Sequence, residues 1–118
     1  MTYNKDNVFY KIIHKNAESS TVYENDHTLV IKNLYPRAPI HFLVMPKGEY
    51  TSYTEFGLNA SPEEKLSLMD AINTVIREYH LEEKGYRLVA NTGDFGGQSV
   101  PHFHIHLLGG QKLDTFGL

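Results

Sequence analysis

Pro101-His102-Phe103-His104-Ile105-His106-Leu107-Leu108-Gly109-Gly110 is the decisive stretch, because three histidines recur at every second position with Phe, Ile and Leu between them. That is the period of a β-strand, whose side chains alternate between two faces. The reading puts His102, His104 and His106 in a polar row on one face and Phe103, Ile105 and Leu107 on the opposite, core-facing side. With seven histidines in the chain, such a run arises by chance only about 0.02 times. A decorative polar face is therefore a poor account of it, and chemistry a better one.

Working outward from the row, the preceding stretch Thr92-Gly93-Asp94-Phe95-Gly96-Gly97-Gln98-Ser99-Val100 is glycine-rich. It opens a strand and has no Lys-Ser/Thr after it, so it is no nucleoside-triphosphate loop, yet its backbone could turn N–H groups toward an anion. Before it, Tyr86 to Asn91 alternates as a strand, with Gly85 as a stop. Ser61-Pro62-Glu63-Glu64 carries the signature of a helix start: Ser as cap, Pro in the first turn and Glu64 closing a capping box. The helix is expected to run to about His80, with Leu66, Met69, Ile72, Asn73, Ile76 and Tyr79 as one apolar stripe against the sheet. The loop ahead of it holds Tyr50, Tyr53 and Phe56, an aromatic group expected to pack over the core. His41 to Met45 reads as a strand bracketed by Pro36, Pro39 and Pro46, which confine it. Thr21-Glu24 and Thr28-Lys32 make a hairpin about Asn25-Asp26-His27, and Asn7 to Asn16 spaces Val8, Ile12 and Lys15 as a short amphipathic helix. The order is mixed α and β, with no repeat and no linker, and is read as a single domain over 1–118.

Composition removes several function classes. Eleven Lys and Arg against fourteen Asp and Glu leave a net charge of −3, so no basic surplus exists for nucleic acid chains or anionic membranes. Any phosphate must be held locally. No cysteine is present, which excludes disulfides and thiolate metal sites. No segment has the length of a membrane span, and the N-terminal residues lack an apolar leader core, so a cytoplasmic location is the expectation.

Same-face positions on a strand lie roughly 6.5–7 Å apart, which sets His102 and His106 about 13 Å apart at the backbone. Three ligands from one straight strand do not converge on one zinc ion, and a metal site would need His41 or a carboxylate from elsewhere. No metal and no cofactor are expected. An imidazole can instead attack phosphorus and form a phosphoramidate intermediate. Neighbouring imidazoles, titrating near neutrality, would orient it, hold phosphate oxygens and move protons.

Gly97 to Gly110 closely resembles the signature of the histidine triad family, and its Gly-Gln-Ser start and Gly-Gly end resemble the Hint branch. Tyr35 to Lys47 and Gly85 to Asn91 resemble two further blocks of that family, so the similarity spans about 23–110. The resemblance implies an α+β fold with a roughly five-stranded antiparallel sheet, one long helix and a short N-terminal helix, usually paired as a homodimer. It also implies an enzyme that hydrolyses or transfers nucleoside monophosphate groups, with purine nucleoside monophosphate derivatives as ligands. By motif position His104 is the nucleophile, His106 the donor to phosphate oxygen, and His102 and His41 the supporting imidazoles. Asn91, Gly97, Gln98 and Ser99 fall at positions that contact the phosphate or leaving group, and Ser99 could protonate a departing amine.

Two departures are visible. Where Hint proteins carry an Asp that accepts both ribose hydroxyls, this chain has Asn33, whose amide oxygen accepts more weakly than a carboxylate. The tail 111–118 also lacks the tryptophan of typical Hint proteins. The related dinucleoside polyphosphate hydrolases are a second enzyme reading, disfavoured by Gly109-Gly110, where that branch tends to place Pro-Arg. A nucleotide-binding dimer acting through protein contacts is a third. His14, His27 and His80 lie outside every motif and are read as solvated.

Overall fold

The computed structural model describes residues 2–114; the end of the tail, 115–118, lies outside the described residues. Asn7 caps the first helix, α1 (Val8–Ile13), its Oδ1 accepting from the Tyr10 N–H at 2.8 Å. The hairpin follows as β1 (Thr21–Glu24) and β2 (Thr28–Lys32). Asn25 makes its turn, with Oδ1 accepting from the N–H groups of His27 and Thr28 at 3.1 and 2.9 Å. Next come β3 (Ile40–Pro46), α2 (Tyr53–Asn59), α3 (Pro62–Glu78), β4 (Arg87–Val89) and β5 (Ile105–Gly109). The sheet is antiparallel throughout in the order β1-β2-β3-β5-β4. This is the expected α+β architecture, with β5 inserted between β3 and β4.

Both faces of the sheet are covered. On one, α3 packs Leu68, Ala71, Val75 and Ile76 against Val30, Phe42, Val44, Phe103 and Leu107. On the other, α1 sets Phe9 and Ile12 over Leu29, Ile31, Leu43 and Met45. Of the aromatic group before α3, Phe56 and Tyr50 join the first core, Phe56 lying 5.2 Å from both Tyr50 and Phe103 between ring centres, while Tyr53 is exposed.

Three expectations need correction. The histidine strand was expected to begin at His102, but β5 starts at Ile105. Pairing with β3 stops at Val44, and the Phe103 N–H is taken by the Tyr50 carbonyl at 2.8 Å. Alternation nonetheless persists, since Phe103 lies in the core under α3 while the His104 ring meets Phe9 on the opposite face. The helical stripe is partly rotated from its expected position: Ile72 and Ile76 are buried as expected, but Leu66 and Met69 are 62% and 61% exposed, and Leu68, Ala71 and Val75 point inward instead. Ser67 fixes that rotation, its hydroxyl lying 2.8 Å from Thr28 Oγ1 and donating to Asn25 Oδ1 at 2.7 Å. Finally, the stretch read as a loop contains α2. Its Ser52 hydroxyl accepts from the Glu55 N–H, and the Glu55 carboxylate reaches back to the Thr51 N–H, a serine and glutamate spacing already present in the sequence.

Candidate active site

Four histidines meet on the sheet face that α1 covers. His41 and His106 project from the paired central strands β3 and β5, while His102 and His104 come from the segment leading into β5. The row is not a solvated face: His102 is 0% exposed and His104 4%. Phe9 stands edge-on to the His104 ring at 4.8 Å, and the His104 and His106 rings lie 5.3 Å apart.

Each ring's partners assign its tautomer. The Pro46 carbonyl sits 2.8 Å from His102 Nε2, so Nε2 carries the proton and Nδ1 accepts from the Tyr3 hydroxyl at 2.5 Å. The Asn7 side-chain amide donates to that hydroxyl in turn, at 3.0 Å. For His104 the pattern reverses. Its Nδ1 lies 2.7 Å from the His102 carbonyl and so carries the proton, which leaves the lone pair on Nε2. Among the described residues Nε2 has no partner, and it is not sealed from solvent. A neutral ring held by a proton on one nitrogen and open at the other is arranged as a nucleophile.

The Arg37 backbone N–H donates to His41 Nδ1 at 3.0 Å. His41 must then carry its proton on Nε2, which faces His106 Nδ1 at 2.9 Å. His106 in turn carries its own on Nε2, a donor with no partner among the described residues. Burial lowers the pKa of all four rings, His102 and His106 to about 4. On His106 the neighbouring imidazoles and Arg37 push the same way. All four are neutral near pH 7, as the tautomer chain requires.

A cavity of about 750 Å³ opens beside His106 and His41, with Asn33, Asn91, Gly97 and Ser99 in its wall. The glycine-rich loop that brings Ser99 there is tied by Gln98, whose Oε1 accepts from the Gly93 N–H while its Nε2 donates to the Thr51 and Val100 carbonyls. Gln98 thus shapes the loop and has no side-chain donor left over. Asn91 likewise donates to the Gly96 carbonyl at 2.7 Å. Gly96 has to be glycine, since a β-carbon there would fall 2.3 Å from the Thr92 carbonyl oxygen. The Gly97 and Gln98 N–H groups bond inside the loop. The Ser99 N–H and hydroxyl, by contrast, find no acceptor among the described residues and are donors available to an anion.

Asn33 reaches the site through a conflict. Its Oδ1 accepts from the Tyr35 N–H at 3.0 Å, which turns Nδ2 toward His41 Nε2 at 3.1 Å, where donor meets donor. Sequence reasoning passed over Tyr3, Asn7 and Phe9. The first two sit in a polar N-terminal stretch with no motif, and only the docked α1 reveals that they close the far side of His102. Among the described residues no three His, Asp or Glu are placed to hold a metal ion.

A buried row of neutral imidazoles beside a cavity with polar groups in its wall, on a five-stranded antiparallel sheet, defines a histidine triad protein. The chain belongs to the HIT family: the HIT domain matches residues 14–113. It is 44% identical over 111 residues to an uncharacterised HIT-like protein of Rickettsia prowazekii (strain Madrid E), covering 94% of this chain and 92% of that one. It is 36% identical over 110 residues to the purine nucleoside phosphoramidase of Escherichia coli (strain K12), covering 92% and 91%. A solved histidine triad protein from Clostridium difficile superposes with a TM-score of 0.86 at 34% identity, covering 98% and 99%.

Proposed function

We propose that the protein is a nucleotide hydrolase or transferase that cleaves a phosphorus–nitrogen or related bond to a nucleoside 5′-monophosphate through a nucleotidyl-His104 intermediate. The supporting observation is the His104 ring itself, with its Nδ1 proton held by the His102 carbonyl and its Nε2 lone pair open. In the first step Nε2 bonds to the α-phosphorus as the phosphorus–nitrogen bond of the substrate breaks. The departing nitrogen takes a proton, for which the Ser99 hydroxyl is the donor at the cavity wall. The positive charge that develops on the His104 ring is stabilised by the carbonyl already bonded to Nδ1. His106 Nε2–H and the Ser99 N–H bind the non-bridging oxygens. In the second step water attacks phosphorus and gives a proton to the Ser99 oxygen, restoring its hydroxyl, as the bond to His104 breaks and the nucleoside monophosphate leaves. His41 keeps His106 in its donor tautomer, and His102 positions the carbonyl. The activity named for the Escherichia coli relative supports this reading.

A homodimer belongs to the same proposal. Strand β4 is a sheet edge, and Leu66, Met69 and Leu88 are exposed; sedimentation equilibrium distinguishes a dimer from a monomer directly.

Incubation with adenosine 5′-phosphoramidate is expected to release AMP, and acid-quenched enzyme to carry a covalent nucleotidyl group. His104→Ala is expected to lose both while keeping its fold, because the group it removes acts in the reaction. AMP release by that variant above a small fraction of the parent rate would eliminate the covalent mechanism.

A further inference from the structure

We propose that the cavity beside His106 receives a leaving group that carries its own negative charge, and that Arg37 is the residue that selects it. The proposal rests on the nucleotidyl-transfer reading above and names the class of substrate for that site.

One guanidinium in the cavity wall is left without an acidic partner among the described residues, while neutral donors stand ready for the phosphoryl oxygens. Two guanidinium groups, Arg37 and Arg87, lie in its wall, with Asp114 as the one acidic residue among those lining it. Asp114 is engaged by Arg87, whose Nη2 donates to its carbonyl and whose Nη1 lies 3.7 Å from its carboxylate. Arg37 forms no ion pair with any described acidic residue. The transferred phosphoryl group bears a single charge and, in the reading above, meets the His106 Nε2–H and the Ser99 N–H. Base and ribose are neutral at pH 7. What remains to pair with Arg37 is the part of the substrate that departs.

Placement agrees. The Arg37 backbone N–H is fixed on His41 Nδ1 at 3.0 Å, one ring from His106, so the side chain starts beside the reacting row and extends from an exposed residue. Its charge reaches both rings, since Arg37 contributes to the lowered pKa of His41 and of His106. A planar guanidinium suits a carboxylate or a phosphate equally, each offering two oxygens to its fork. The substrate class is therefore a nucleoside 5′-phosphoramidate whose amine bears a carboxylate or a phosphate. In the reaction the phosphorus–nitrogen bond breaks, the His104 Nε2–phosphorus bond forms, and the amine departs with one added proton and its anionic group unchanged.

Three adenosine 5′-phosphoramidates test this, built on amines of matched basicity: ethylamine, β-alanine and phosphoethanolamine. The full-length protein is expected to show kcat/KM at least about tenfold higher for one or both anionic compounds than for the ethylamide, as a charge-assisted bidentate contact allows. Preference for β-alanine or for phosphoethanolamine identifies the anion. Arg37→Gln should collapse that ratio toward one, and Arg37→Glu should invert it; both keep the backbone N–H that holds His41. A ratio near one in the parent protein overturns the proposal. So does an equal loss on all three compounds in Arg37→Gln, which would place the guanidinium on the α-phosphate. Calorimetric binding of the same compounds to His104→Ala reads the preference without turnover. Tighter binding of an anionic compound there supports the proposal even if catalysis fails, and equal affinities overturn it.

Discussion

At the scale of single residues the informative position is Asn33. An aspartate in its place would accept from the Tyr35 N–H with one oxygen and set the other, an acceptor, beside the His41 Nε2–H that is directed at His106. The asparagine matches the first contact and opposes the second. Asn33→Asp is therefore expected to raise the pKa of His41, because a carboxylate beside an imidazole favours its charged form, and to tighten ribonucleotide binding by about 1 kcal/mol. Deoxyribonucleotides should gain less. Calorimetry of AMP and 2′-deoxy-AMP against both proteins checks the discrimination, and an unaltered ratio would remove residue 33 from the ribose. The substitution itself was legible in the sequence. Its conflict with His41 was not, because that depends on the Arg37 N–H fixing the ring's tautomer across a turn.

Among the elements, those with a strong local signal were read correctly. The hairpin, β3 between its prolines and the Ser61 start of α3 are each set by contacts within a few residues, and each lies where expected. What escaped was set at a distance. The rotation of α3 follows from Ser67 meeting Asn25 and Thr28, a contact between residues about forty positions apart, while Leu66 and Met69 satisfy a helical period just as well. The late start of β5 follows from Tyr50 capturing the Phe103 N–H. As for the site, the four histidines and Ser99 were legible as residues, but the burial of His102 and His104 was not, since it takes α1 to cover them. The N-terminal segment is fastened by few bonds, the Tyr3 hydroxyl on His102 Nδ1 among them. Tyr3→Phe leaves that buried acceptor unpaired and should cost about 1–3 kcal/mol of stability. Urea unfolding would measure it, and a midpoint equal to the parent's would show that water replaces the phenol at no cost.

For the whole molecule the buried imidazoles set the acid limit. Folded His102 stays neutral down to about pH 4, whereas its unfolded counterpart takes up a proton near 6.5. Between those values the unfolded chain binds more protons than the folded one, so stability falls as pH falls from about 6.5 to about 4 and this contribution is fully lost below that. His102 alone accounts for roughly 3 kcal/mol over the window, and the partly exposed His106 adds less. Thermal melts from pH 7 to pH 4 should show the decline, and His102→Asn should flatten it. A parent melting temperature constant across the range would refute the neutral buried ring.

The hydrogen bonds of the histidine row also mark its members for a spectrometer. His41, His102 and His106 carry their protons on Nε2, whereas His104 alone carries its proton on Nδ1. Nitrogen chemical shifts separate these two forms of imidazole, so in a ¹⁵N-labelled sample one ring of the four stands apart. The proposed nucleophile can then be picked out in the resting protein, and the same pair of signals would follow it through nucleotidylation at Nε2 and back.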